Sequence, residues 1–267
     1  MISIIIPTLN EVCSLPALLE AIQEQRTDHE VIVVDGGSTD GTLEVAHDHE
    51  VRTLAAHPGR GVALSIGARA SHGEVLLFLH ADSTLLPGAL NKINEMLSTK
   101  PQIIGGNFRL VFDGNTSFSR WLTRICTWIR LIGVYYGDSG IFVRRWVYEA
   151  IGGFHSIPLM EDFDFVRRLE RFGRTCCIAD PPLITSSRRF QTRRPLQIVC
   201  GWIRLHVLFW LGVDPSRLAE IYQMQSPLPV ISRNGSTGNR SRRKWCDRHK
   251  DDRPGHPGWP YTSRRRA

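Results

Sequence analysis

Three aspartates in this chain stand where carboxylates can do chemistry. Asp35 closes the apolar run Val31–Val34, Asp82 lies three residues beyond the run Val75–Leu79, and Asp162 sits beside Glu161 before a helix-forming stretch. A carboxylate at a strand end can help hold a divalent cation together with phosphate oxygens, or accept a base N–H or ribose hydroxyl proton. A carboxylate next to a substrate hydroxyl can serve as a general base. Each position also has a plainer reading. Asp, Ser and Thr cap helices, which is the reading taken for Ser38 and Asp40. Acidic residues at a helix start are favoured by its dipole, which accounts equally for Glu161, Asp162 and Asp164.

The elements that must position these residues alternate. Ile2–Ile6 is a short β-branched run halted by Pro7, and Leu15–Gln25 carries apolar residues on one helical face. Strands are expected at Val31–Val34, Val51–Ala55 and Glu74–Leu79, with helices at Thr42–His49 and Val62–Ala70. Strands alternating with helices imply an α/β fold with a mostly parallel central sheet flanked by helices. In such sheets ligands bind beyond the carboxyl ends of the strands. That selects Pro7–Glu11, Asp35–Asp40 and His80–Ser83, each directly behind a strand.

Beyond residue 100 the pattern changes. A strand is expected at Ile103–Phe112, then a helix at Ser119–Gly133 with Trp121, Ile125, Trp128 and Ile132 on one stripe. Gly137–Gly140 reads as a turn before the strand Ile141–Val143. The next helix opens at Met160–Asp164 and ends at Gly173, placed as a C′ glycine. Pro195–Gly212 is the most apolar stretch, but Arg204 and His206 interrupt it near the middle. It suits a helix lying at a membrane interface, or one packed on the main domain, rather than a spanning one.

Charge divides the chain. Residues 1–225 carry 22 Lys/Arg against 23 Asp/Glu, whereas 226–267 carry 11 against 3. The net charge of +7 therefore belongs to a basic, disordered extension and implies no specific nucleic-acid partner. The six cysteines form no C-x-x-C pair and no regular framework, as expected for thiols in a reducing, cytoplasmic setting. No signal peptide is read at the start.

Taken in order, the strand-end segments resemble the family 2 glycosyltransferases. The similar segments are Ile4–Glu11, Val33–Thr42, Leu77–Ser83 and Met160–Asp162, and the resemblance spans roughly residues 2–222. Gly59-Arg60-Gly61, His80-Ala81-Asp82 and Arg188-Arg189-Phe190 look most like a bacterial subgroup named for association with radical-SAM or selenium-related domains. Some of its members are named carotenoid-acid glycosyltransferases. The resemblance implies a GT-A fold, with residues 1–100 binding a nucleotide-sugar donor and 101–225 forming the acceptor half. It implies donor contacts from Pro7, Thr8, Asn10, Glu11 and Asp35, and from Arg60, His80, Ala81, Asp82, Arg188 and Arg189. A divalent metal, Mg²⁺ or Mn²⁺, would sit on Asp82. Glu161 and Asp162 would be the catalytic pair, with Asp162 as base.

His80 replaces the first Asp of the family's metal motif, and Arg188-Arg189-Phe190-Gln191 keeps only the character of a longer basic motif. His80 reads equally as a structural histidine, Arg60 as a surface arginine, and Arg188 and Arg189 as a solvated basic loop. The resemblance implies inverting sugar transfer to a hydroxyl or carboxyl, while Trp and Arg together in 119–133 and 195–212 motivate a separate expectation of contact with the inner face of the cell membrane, which would fit a lipid-like acceptor. Two rivals stand beside it: a sugar nucleotidyltransferase, and a transferase fold retained only for binding. Pro7–Glu11 lacks the glycines and basic residues that would hold a triphosphate, which disfavours the first.

Overall fold

The computed structural model describes residues 1–57, 59–114, 116–187 and 195–225. Arg188, Arg189 and the basic extension 226–267 lie outside the described residues, as do the expectations placed on them.

One eight-stranded sheet organises the chain. Strand β1 (Ile2–Thr8) lies near its centre, between β2 (His29–Asp35) and β4 (Val75–Phe78), and β3 (Arg52–Ala55) forms one edge. The helices α1 (Leu15–Gln23), α2 (Thr42–Asp48) and α3 (Arg60–Ala70) connect these four parallel strands. Ile2, Ile4, Ile5 and Ile6 are fully buried because β1 is covered on both faces. Pro7 lies within the strand rather than ending it. The ladder with β4 stops at Ile5–Phe78, so on that side no hydrogen bond needs the missing N–H.

After β4 the repeat of one strand and one helix stops. The chain runs through a turn into β5 (Ser83–Leu85), then α4 (Ala89–Thr99), β6 (Ile103–Phe112) and α5 (Ser117–Arg130). A 3-10 turn (Gly137–Ser139) precedes β7 (Ile141–Arg144), and α6 (Arg145–Ala150), α7 (Glu161–Phe172) and β8 (Arg174–Thr185) follow. The sheet order is β3-β2-β1-β4-β7-β6-β8-β5. The pairs β4–β7, β6–β7 and β5–β8 are antiparallel, while β6–β8 is parallel. The mostly parallel sheet expected from sequence thus holds for β1–β4 and gives way to a mixed sheet. Parallel neighbours need a crossover, and β4 is not followed by one.

Side chains alternate between two apolar layers. Ile2, Ile4 and Ile6 pack with Leu15, Leu18 and Ile22 of α1 and with Leu90, Ile93 and Leu97 of α4. Ile5 faces the opposite layer, with Leu64 and Ala68 of α3 and Phe165, Val166 and Leu169 of α7. Helix α3 approaches so closely that a Cβ on Gly67 would come within 2.4 Å of Ile5 Cγ2. The segments α8 (Pro195–Trp210) and α9 (Pro215–Gln225) complete the described chain.

β5, α4, α6 and α9 go beyond the sequence expectation. α4 carries an apolar spacing at Leu90, Ile93 and Leu97, but the others are too short or too polar to show a clear period. Gly173 follows α7 in an extended conformation, not the left-handed one expected of a C′ glycine. Cys126, Cys176, Cys177 and Cys200 are free thiols, but Cys13 is disulfide-bonded, so the expectation of scattered thiols fails there.

Candidate active site

Two side-chain clusters form at the carboxyl ends of the central strands. The first joins the loops after β1 and β2. Asp35, 4% exposed, accepts hydrogen bonds from Thr8 Oγ1 (3.1 Å) and Ser38 Oγ on Oδ1. Its Oδ2 accepts from the backbone N–H groups of Gly37 (2.9 Å) and Ser38 (2.8 Å). Burial works to raise the Asp35 pKa, but these four donors outweigh it and hold the carboxyl below its ordinary value.

The loops are laced further by Asn10. Its backbone N–H donates to Ser38 Oγ at 2.8 Å, and its Oδ1 accepts from Thr39 N–H at 3.0 Å. Asn10 adopts φ 57°, a left-handed conformation that asparagine tolerates better than most residues. The Glu11 N–H donates to Thr42 Oγ1 at 2.9 Å. Asp40 accepts from the Thr42 N–H at 3.2 Å, but Gly41 holds the N-cap position of α2, so Asp40 braces the turn one residue before the cap expected of it. Ser38 does something else: it ties Asp35 to the first loop.

The second cluster is built on Arg60, the first residue of α3. Its Nε–H donates to Glu161 Oε1, and a terminal nitrogen reaches Asp162 Oδ2 at 3.4 Å. The other terminal nitrogen lies 3.4 Å from His80 Nε2. Arg60, His80, Glu161 and Asp162 are thus drawn together from three separate segments. Burial would lower the arginine's pKa, but the charges of Asp162 and Glu161 raise it. Glu161 is 2% exposed, and burial raises its pKa despite the opposing pull of Arg60, with Asp162 adding to the rise.

Asp162 is fixed by the main chain. The Gly137 N–H donates to its Oδ2 at 2.9 Å, and the Phe163 N–H donates to Oδ1 at 2.8 Å. Met160, just before the pair, holds φ 67°, uncommon for a residue of this kind. That left-handed bend turns the chain into α7 and places Glu161, Asp162 and Asp164 in its first turn. Gly137 is a site residue that the sequence reading took only for a turn. A Cβ there would lie 2.9 Å from His80 Nε2 and 3.3 Å from Asp162 Oδ2. Only its place between two motif residues in space reveals it, and no local spacing does.

Pro7 belongs to β1, Ala81 is buried, and Asp82 is half-buried in the turn closed by Ser83 N–H on His80 O (3.1 Å). Among the described residues no three His, Cys, Asp or Glu side chains gather as a cation site. Beyond the 3-10 turn, a cleft of about 150 Å³ runs between β6 and α5. Phe108, Leu110, Ile129 and Val134 line it, and Tyr136 and Asp138 bring it up to the turn that holds Asp162.

Residues 3–151 match the family model described as Glycosyl transferase family 2. The chain belongs to this family. The match ends before α7, so the placement of Glu161 and Asp162 rests on geometry. An uncharacterized glycosyltransferase of Haemophilus influenzae is 30% identical over 184 residues, 63% of this chain and 62% of that one. The chain thus spans less than two thirds of that relative's length. A PGL/p-HBAD biosynthesis glycosyltransferase of Mycobacterium tuberculosis is 32% identical over 206 residues, covering 69% of this chain and 72% of the relative. Among solved structures, the mannosyltransferase PcManGT from Pyrobaculum calidifontis, in complex with GDP-Man and Mn²⁺, superposes with a TM-score of 0.60. It is 17% identical and the alignment covers 84% of this chain and 69% of that one, a likeness of fold alone. The architecture is that of GT-A glycosyltransferases.

Proposed function

We propose that this protein is an inverting glycosyltransferase that moves a sugar from a nucleoside-diphosphate donor to an acceptor hydroxyl or carboxyl group. The observation that carries the reading is Asp162. It is 7% exposed and oriented by two backbone N–H groups, close to the cleft between β6 and α5. Support also comes from the relatives, which bear glycosyltransferase names, and from the neighbouring structure titled with GDP-Man.

In this reading Asp35 and Thr8, with Asn10 and Glu11, shape the pocket for base and ribose. Asp35 already spends both oxygens on its own loop, so its first task is to hold that loop in shape. Arg60 keeps Glu161 and Asp162 in place and directs positive charge towards His80. Asp162 takes the acceptor proton as the acceptor oxygen bonds to the anomeric carbon. The bond from that carbon to the diphosphate oxygen breaks, and the diphosphate leaves with the electron pair. Attack opposite the leaving group inverts the configuration.

For a divalent metal, the donor chemistry fits a cation held mainly by the substrate. Asp82 offers one carboxylate, while His80 Nε2 is turned towards a guanidinium. One carboxylate with phosphate oxygens and waters suits Mg²⁺ or Mn²⁺. Such an ion would offset the charge gathering on the leaving diphosphate. Residues 1–225 form the transferase domain in this proposal, and Arg188 and Arg189 are further candidates for diphosphate contact. The acceptor is lipid-like, and the enzyme works at the cytoplasmic side of a membrane.

Replacing Asp162 by Asn tests the reading. Donor binding, followed by thermal shift with nucleotide sugars, is expected to persist. Transfer is expected to fall by about 10²–10⁴-fold. Near-normal transfer would remove Asp162 from the role. Donor binding without transfer in the unaltered protein would favour the retained-for-binding rival.

A further inference from the structure

We infer that the outer faces of α5 and α8 dock on an anionic lipid bilayer. On α5 and the turn after it, Trp121, Trp128 and Ile132 recur at a spacing of seven and four residues and are 42%, 71% and 78% exposed. On α8, Ile203, Val207 and Trp210 recur at four and three, and are 59%, 50% and 63% exposed. On α8 the buried Leu205 lies opposite the stripe, and on α5 the buried Leu122 and Ser119 lie to one side of it. The two helices share one cluster, since Trp202 of α8 and Cys126 of α5 both pack on Leu110, Phe112 and Leu122. Large apolar side chains exposed in this number on neighbouring helices mark an interaction surface.

Charge decides the occupant. Neither α5 nor α8 contains a single Asp or Glu. Indeed no acidic residue occurs anywhere in 114–137 or 181–213. Arg124 and Arg204 are exposed beside the stripes. Tryptophans, aliphatic side chains and arginines without acids suit the headgroup boundary of an anionic bilayer, where rings sit at the interface and cations meet lipid phosphates. Among the described residues no helix is long and apolar enough to cross a membrane, so the contact is made lying on the surface. The cleft beside α5, whose lining includes Leu131, would then face lipid, and an amphiphilic acceptor could enter it without leaving the membrane. That last step rests on the proposed transfer reaction; the docking itself does not.

The test is sedimentation of the full chain with phosphatidylcholine vesicles, with and without phosphatidylglycerol. The unaltered protein is expected to bind the anionic vesicles at least tenfold better. Two double variants, W128S/I132S and I203S/V207S, should each lose at least tenfold of that binding, while R124E/R204E should lose the preference for anionic lipid. All three should keep the nucleotide-sugar thermal shift. A protein that stays in the supernatant with both vesicle types overturns the inference. So do variants that sediment undiminished, which would assign the binding to the extension 226–267. Light scattering that shows a dimer broken by the same variants would overturn it as well, by assigning the face to a second copy. Vesicle binding without any response to nucleotide sugars would leave the docking standing and sink the transfer reading instead.

Discussion

The guanidinium of Arg60 donates to the carboxylate of Glu161, 101 residues further along the chain and almost completely buried. The contact joins the start of α3 to the start of α7 and brings the β1–β4 half of the sheet against Glu161 and Asp162. It also sets the ionisation of the site. Burial and the neighbouring Asp162 charge favour the neutral form of Glu161; the arginine opposes both effects.

Arg60→Gln should therefore raise the Glu161 pKa further above its ordinary 4.5. A buried carboxylate left without its cation costs about 3–5 kcal/mol. With the folded pKa above the unfolded one, stability is greatest at low pH and falls as pH rises through the folded value. Urea unfolding from pH 5 to 8 should show a steeper decline for the variant than for the parent. Parallel curves would mean that Arg60 does not control this group. Transfer should also fall.

Gly137→Ala addresses the turn between His80 and Asp162. The added methyl group would meet His80 Nε2 at 2.9 Å and Asp162 Oδ2 at 3.3 Å, so one of them must move. Overpacking of this kind costs about 1–3 kcal/mol. A displaced base of about 1 Å can cost on the order of 10²-fold in rate. The expected result is a loss in kcat larger than the change in KM for the donor. An unchanged kcat would show that the turn accommodates the methyl group without displacing Asp162.

Legibility in the sequence followed the range of the interactions. β1, β2 and β4 were readable because each is an unbroken apolar run, and the loops behind them because a strand must precede them. Asp35 could be picked out for the same reason. Its four donors lie within three residues or on the paired strand. Ser38 was misread as a cap because its link to Asn10 crosses 28 residues. Arg60 read equally as a surface side chain, since its partners lie 20, 101 and 102 residues away. Gly137 carried no signal at all, because its role is the absence of a side chain at a meeting point. The stripe of α5 was visible as periodicity, but periodicity alone does not say which side of the sheet or solvent it faces.

His80→Asp tests the weakened metal motif. The substitution restores a second carboxylate near Asp82 and takes an imidazole away from Arg60. Mn²⁺ binding in the presence of a nucleoside diphosphate, read by electron paramagnetic resonance, should tighten by about tenfold or more, because added carboxylate ligands favour hard cations. Asp82→Asn should weaken it by a similar factor. If neither variant moves Mn²⁺ binding, Asp82 is not the protein's contribution to the ion.

Glu30 supplies a prediction outside the site. This carboxylate accepts from Ser3 Oγ at 2.6 Å, from the His72 N–H at 2.5 Å and from the Gly73 N–H at 3.2 Å, pinning the turn before β4 to β1 and β2. Burial would raise its pKa, but the His72 and Gly73 amides and the Ser3 hydroxyl lower it from 4.5 to about 2. A carboxylate with a lowered folded pKa contributes stability above its unfolded value and loses it as pH falls through the folded one. That contribution should be complete above about pH 4.5 and vanish near pH 2. Glu30→Gln should cost about 1.5–3 kcal/mol at pH 7, the usual worth of hydrogen bonds to a charged group. The gap between parent and variant, measured by urea unfolding, should close as the pH is taken from 5 towards 2. A gap that stays constant over that range would mean that the Glu30 charge contributes nothing and that only its shape matters.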